Sequence, residues 1–175
     1  MDKDLGRLEA ELTAALADLD ARQTQATPNE HPEKWSIQEI VEHLLLTYRG
    51  SVPAIQARIE KRRPTQSQPT MRQRLSQFIV IKLGSFPAGR PAPAAVSPSL
   101  PASLRSGEQL SAQVHAALEE FDRVTTEAEQ MFGGRRAATH ILLGPLSMRQ
   151  WRRFHLVHGL HHVKQIKAIC RENRL

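Results

Sequence analysis

Four of the eight histidines of the chain, His155, His158, His161 and His162, fall inside the single stretch HLVHGLHHVKQI. Imidazole titrates near neutrality and is the commonest side-chain ligand for transition metals. Histidines four residues apart on a helix present two rings one turn apart on one face, which suits chelation of a divalent ion. On a helical wheel centred on Trp151, His158 and His162 sit within about 20° of the centre, among Phe154, Ile166 and Ile169. His155 lies about 40° off centre and His161 about 80° round, on the flank. Buried histidines must be satisfied by a metal, a hydrogen-bond partner or water. Spacing alone leaves a metal site and a hydrogen-bonded core pair both open. The cluster is interior and woven with Leu, Val and Ile, so it is not an affinity tag.

Two ligands do not complete a site. The third must come from another element, and His31, His43, His115, His140 or a carboxylate could supply it. His43 belongs to a helix opened by the capping box Ser36-Ile-Gln-Glu39, with Trp35 placed to staple onto Ile40. Against the stripe Ile37, Val41, Leu44, Tyr48, Ile55, it lies about 130° round, which reads as an exposed position. His115 reads as a boundary or exposed helix residue, and His31 and His140 fall in connections.

The elements that must position these residues are helical. Leu5, Leu8, Leu12, Leu16 and Leu19 mark a first helix over about residues 4–22. The helix beginning at Ser36 runs to about Lys61, with a kink or break expected near Arg49–Val52 because of Pro53. Thr70-Met-Arg-Gln73 is a further capping pattern before a short helix, residues 75–83, whose FIVIKL core could alternatively be a strand. Residues 86–106 form a proline-rich loop, partly polyproline in character, with five prolines from Pro87 to Pro101. A long helix follows over 107–132, stopped by Gly133-Gly134. Ser147-Met-Arg-Gln150 caps a last helix from Met148 to near Glu172. Apart from that alternative at FIVIKL, no strand is expected. The fold class is therefore all-α: four long helices with an extra short helix, in one domain over residues 1–175.

At 175 residues the chain can bury a hydrophobic core without disulfides, and its single cysteine, Cys170, could form none internally. That fits a reducing, cytoplasmic setting. The N-terminus lacks a secretory apolar run, and no segment approaches a membrane span, so no membrane partner is expected. Net charge is +6 with a pI near 10.1. The basic residues are dispersed with little aromatic interleaving, which reads as a solvated surface rather than a nucleic-acid site.

Taken together, WSIQEIVEHLLLTY (residues 35–48) and HLVHGLHHVKQI, preceded by GPLSMRQWRRFH, resemble the second-helix and last-helix motifs of the DinB/YfiT-like superfamily. The resemblance implies a DinB-like four-helix bundle with a divalent ion, nickel or zinc, held by His43, His158 and His162 and completed by water. It thus turns His43 inward, against the periodicity. His161 and Gln165 match the motif as supporting residues. Mid-helix Gly159 and the proline-rich loop depart from it; the glycine could admit another helix closely.

The resemblance further implies a metalloenzyme of thiol S-transferase or hydrolase type, in which the ion lowers the pKa of a coordinated water or thiol. A small-molecule substrate, with a low-molecular-weight thiol as a candidate partner, goes with that reading. A non-catalytic metal-binding or stress-response bundle is the alternative, and a basic nucleic-acid-binding module a third. A homodimer is compatible with broad helix faces. The low aromatic content, 5%, predicts a pocket lined mainly by aliphatic side chains.

Overall fold

In the computed structural model, residues 1–87, 92–99 and 103–175 are described. Helix α1 spans Lys3–Leu16, α2 Ile37–Glu60, α3 Met71–Gln77, α4 Gly107–Phe132 and α5 Met148–Asn173. Helix α1 packs on α5 and α4, and α2 lies chiefly against α4 and also against α5. The result is an all-α bundle of four long helices, as the periodicity requires, with α3 on its flank. The leucines of α1, the apolar stripe of α2 and Leu110, Val114, Leu118 and Phe121 of α4 meet in one core. Gly159 sits where α1 and α5 converge. A Cβ there would stand 2.3 Å from Leu8 Cδ1, so glycine permits this approach.

The local chemistry explains the helix starts. Both halves of the capping box are formed at Ser36–Glu39, Thr70–Gln73 and Ser147–Gln150, and also at Ser106–Gln109. Each box satisfies two backbone donors that a helix N-terminus leaves free.

Several boundaries differ from the sequence expectation. Helix α1 stops at Leu16 because Ala17 is extended and Asp18 takes a left-handed conformation (φ 61°). Leu19 is buried nonetheless, and its carbonyl accepts from Gly107 N–H at 2.8 Å. The end of α1 is thus closed by the start of α4. No break occurs at Pro53: α2 continues through it, anchored on either side by buried Tyr48, Val52 and Ile55. Residues 71–82 are helical rather than a strand, with α3 passing into one wide turn over Phe78–Lys82 in which Leu83 N–H reaches Phe78 O.

A hairpin was not expected. Strand β1 (Ala138–His140) pairs antiparallel with β2 (Gly144–Leu146), with Ala138 opposite Leu146 and His140 opposite Gly144. Three-residue strands are too short for an alternating pattern to register. Gln77 of α3 ties this hairpin down by donating to the carbonyls of Leu143 and Pro145.

Within the proline-rich loop, Ala94–Val96 form one 3₁₀ turn. The carbonyl of Ser103 and the N–H of Arg105 both bond the buried side chain of Gln38. The parts of the expected loop at residues 88–91 and 100–102, including Pro91 and Pro101, lie outside the described residues.

Candidate metal centre

Helix α2 carries His43, and α5 carries His158 and His162 one turn apart. The packing of α2 on α5 brings all three together in the bundle, each buried, at 4%, 5% and 6% exposure. His158 Nε2 stands 3.2 Å from His43 Nε2 and 3.1 Å from His162 Nε2. One ligand atom from each ring lies within 4.8 Å of the other two.

The outer nitrogens fix which lone pairs face inward. His43 Nδ1 is 2.7 Å from the carbonyl of Val96, and a carbonyl only accepts, so Nδ1 carries the proton. His162 Nδ1 donates in the same way to Gln165 Oε1 at 2.7 Å. Gln165 in turn directs its amide nitrogen to His161 Nε2 at 3.3 Å. Both Nε2 atoms are therefore bare lone pairs in the neutral rings. His158 Nδ1 is buried with no partner.

Burial pushes all three imidazoles toward the neutral form. It takes His162 down to about 3 and His158 well below the usual range, with neighbouring histidines adding to the effect. His43 is lowered by burial against a partial opposing effect of its Val96 bond. Neutral rings are the ligand form.

These residues fit a metal. A proton on His158 Nε2 could bridge to only one of the two facing lone pairs, leaving the other unmatched. A single cation meets all three at once. At metal–nitrogen distances of about 2.0–2.1 Å, neighbouring ligand nitrogens in a tetrahedral site sit roughly 3.3 Å apart, close to the separations seen here. The buried three-histidine group can thus hold a metal ion.

The side chains stacked on the three histidines include aromatic ones, whereas the neighbouring cavity has Trp35 as its one aromatic residue. Trp35 lies 5.0 Å from His43 between ring centroids, Phe86 lies 4.7 Å from His158, and Phe154 stacks on His158 at 13°. Few aromatics are present, but several of them are gathered here. Beside the centre is a cavity of about 460 Å³ whose wall includes Trp35, Ile40, Gln165 and Ile169. Trp35, expected as a staple for Ile40, shares that wall with it.

The other histidines separate cleanly. His155, off centre on the wheel, is fully buried between Tyr48, Phe121 and Trp151. Its Nε2 is 3.3 Å from Ser51 Oγ, and its Nδ1 has no partner. His140 is buried in the hairpin, where its Nδ1 accepts from the N–H groups of Leu142 and Leu143, both at 3.1 Å. His115 is exposed and paired with Glu9 and Glu119, and exposed His31 pairs with Glu33. The role of Val96 had no signal in the sequence, since a backbone carbonyl carries no residue type. Arg152, also unforeseen, is buried with Glu129, Asp122 and Thr125 around its guanidinium.

An all-α bundle with a three-histidine group shared between its second and last long helices defines the class. The DinB superfamily model matches residues 4–166, and the chain belongs to that superfamily. Comparison with curated proteins and with solved structures finds no match in either.

Proposed function

We propose that the chain is a metal-dependent enzyme acting on a small molecule, of thiol S-transferase or hydrolase type, with nickel or zinc held by His43, His158 and His162. The observation that carries this reading is the convergence of three neutral Nε2 atoms, two of them locked inward by hydrogen bonds on the opposite ring nitrogen. When bound, such an ion supplies a Lewis acid that activates a water or thiol at neutral pH. The residues of the chain do the rest. Val96 and Gln165 orient His43 and His162, so that the ligand lone pairs are set before the ion arrives. Trp35, Phe86 and Phe154 shield the rings from bulk water and raise the strength of electrostatic interactions there. The cavity beside Trp35 and Gln165, walled by Ile40 and Ile169 together with the charged Glu33, Lys34 and Glu172, offers a small molecule a place next to the three histidines.

The test is turnover of thiol-dependent transfer and of ester or amide hydrolysis by protein loaded with zinc or with nickel. Activity lost on chelation and restored by metal supports the enzyme. Metal-dependent melting without turnover across such a panel would favour the non-catalytic metal-binding bundle.

A further inference from the structure

Lys61 to Gly107 holds eight of the 24 Lys and Arg residues and none of the 18 Asp and Glu, so this segment carries +8 and the remainder −2. The positive charge that looked dispersed along the chain is therefore concentrated. Among the described residues, Lys61, Arg62, Arg63, Arg72, Arg74 and Lys82 are exposed and form no ion pair with a carboxylate.

The same segment carries an inverted helix. Met71 and Leu75 of α3 and Phe78 at the start of the wide turn, at i, i+4 and i+7, share one face, and that face points to solvent at 80%, 61% and 54% exposure. Gln73 and Gln77 occupy the opposite face, against the hairpin: a Cβ on Gly144 would lie 2.5 Å from Gln73 Oε1, and Gln77 donates to the hairpin carbonyls. Arg72 and Arg74 flank the apolar stripe. Leu83 continues the exposure beyond α3. On the α5 side, Phe78 borders a surface cavity of about 510 Å³ whose wall includes Arg74, Lys82, Arg149 and Arg153, with Asp4 its one acidic residue.

From this juxtaposition of a solvent-facing apolar stripe with unpaired cations on both flanks, we propose that α3 docks the protein on an anionic lipid bilayer. The stripe enters the interface, and Arg72, Arg74, Lys82 and Arg153 meet headgroup phosphates. Apolar side chains projecting from a convex helix need a yielding apolar medium, and cations at the level of the headgroups add attraction to anionic lipid. A second copy would bring Arg72, Arg74 and Lys82 against their own like-charged counterparts. A nucleic acid would engage the cations but give no return on the apolar stripe. Spanning the bilayer is not required, so the proposal stands with the finding that no helix among the described residues is long and apolar enough to cross a membrane.

The experiment is co-sedimentation of the full chain with vesicles of phosphatidylcholine alone and of equal parts phosphatidylcholine and phosphatidylglycerol. Binding to the mixed vesicles is expected to exceed binding to the neutral ones by about tenfold or more and to weaken with salt. Leu75→Glu/Phe78→Glu and Arg74→Gln/Lys82→Gln alter exposed positions, so the variants should keep the wild-type melting temperature while each loses most of the binding. Equal or absent binding to the two vesicle types overturns the proposal, as does a Leu75→Glu/Phe78→Glu variant that still binds. Glycerol phosphate binding equally well to wild type and to that variant would make the cavity a small-anion site instead. A wild-type dimer that this variant converts to a monomer would assign the stripe to a second copy.

Discussion

His155 and His158 stand three residues apart on α5, both buried and both held neutral by burial, yet they belong to different regions. His158 meets two inward lone pairs from His43 and His162. His155 sits in an aromatic layer of Tyr48, Phe121 and Trp151, with one long contact to a hydroxyl that already donates to the carbonyl of Thr47. Burial and a lowered pKa therefore do not identify a ligand. What separates the two is convergence of lone pairs and an acceptor that pins the far side of each neighbouring ring. Depressed basicity is shared by structural and metal-binding histidines.

Removing one member of each region separates their roles. His158→Ala should reduce transition-metal content from near one equivalent to near none, an affinity loss above about 100-fold, since even outer-shell partners cost 10–100-fold. His155→Phe should keep the full equivalent. Elemental analysis on untagged protein, prepared without a nickel column, reads both. If His155→Phe lost the metal as well, the division drawn here would fail.

A smaller effect is expected one step out. Gln165→Leu removes the acceptor for His162 Nδ1 and leaves the ligand in place. Metal affinity should fall by about 10–100-fold, while the metal-free melting temperature changes little because Gln165 is exposed. Competition with a chromophoric chelator measures the first and calorimetry the second. Unchanged affinity would mean that packing alone orients the ring.

A separate effect concerns the metal-free protein and acid. Burial lowers His140 to about 4 and His155 to about 3, against about 6.5 in an unfolded chain. Below pH 6.5 the unfolded state takes up protons that the folded state refuses, so stability present at pH 7 is lost as pH falls toward 4. Each such group contributes a slope of up to about 1.4 kcal/mol per pH unit. In His155→Phe the denaturant midpoint should fall less steeply between pH 6.5 and pH 4. An identical slope in the variant would show that His155 is protonated in the folded state.

The same contrast marks how far the sequence could be read. Helix count, three of the four capping boxes and the i, i+4 pair on α5 were legible because each rests on local periodicity or local hydrogen bonding. His43 was not legible that way. Its angle from the stripe suggested exposure, and only the resemblance turned it inward, because a bundle helix buries a second face against a second neighbour. The end of α1 was missed since Leu19 keeps the periodicity after the helix has stopped. The hairpin and the part of His140 in it depend on three-residue strands that leave no pattern. That the apolar face of α3 points to solvent left no sequence signal either, since the packing is done by its glutamine-bearing face.

The oxygen that sets the His43 ring belongs to the main chain of residue 96, so any amino acid that keeps the turn can supply it. A substitution scan would score that position as tolerant and pass over it. Shortening the loop by a residue on either side of the turn would instead withdraw the acceptor and free the ring to flip, with all three histidines still in the sequence. A chain altered in that way would retain its complete motif and lose the inward set of lone pairs that could hold an ion.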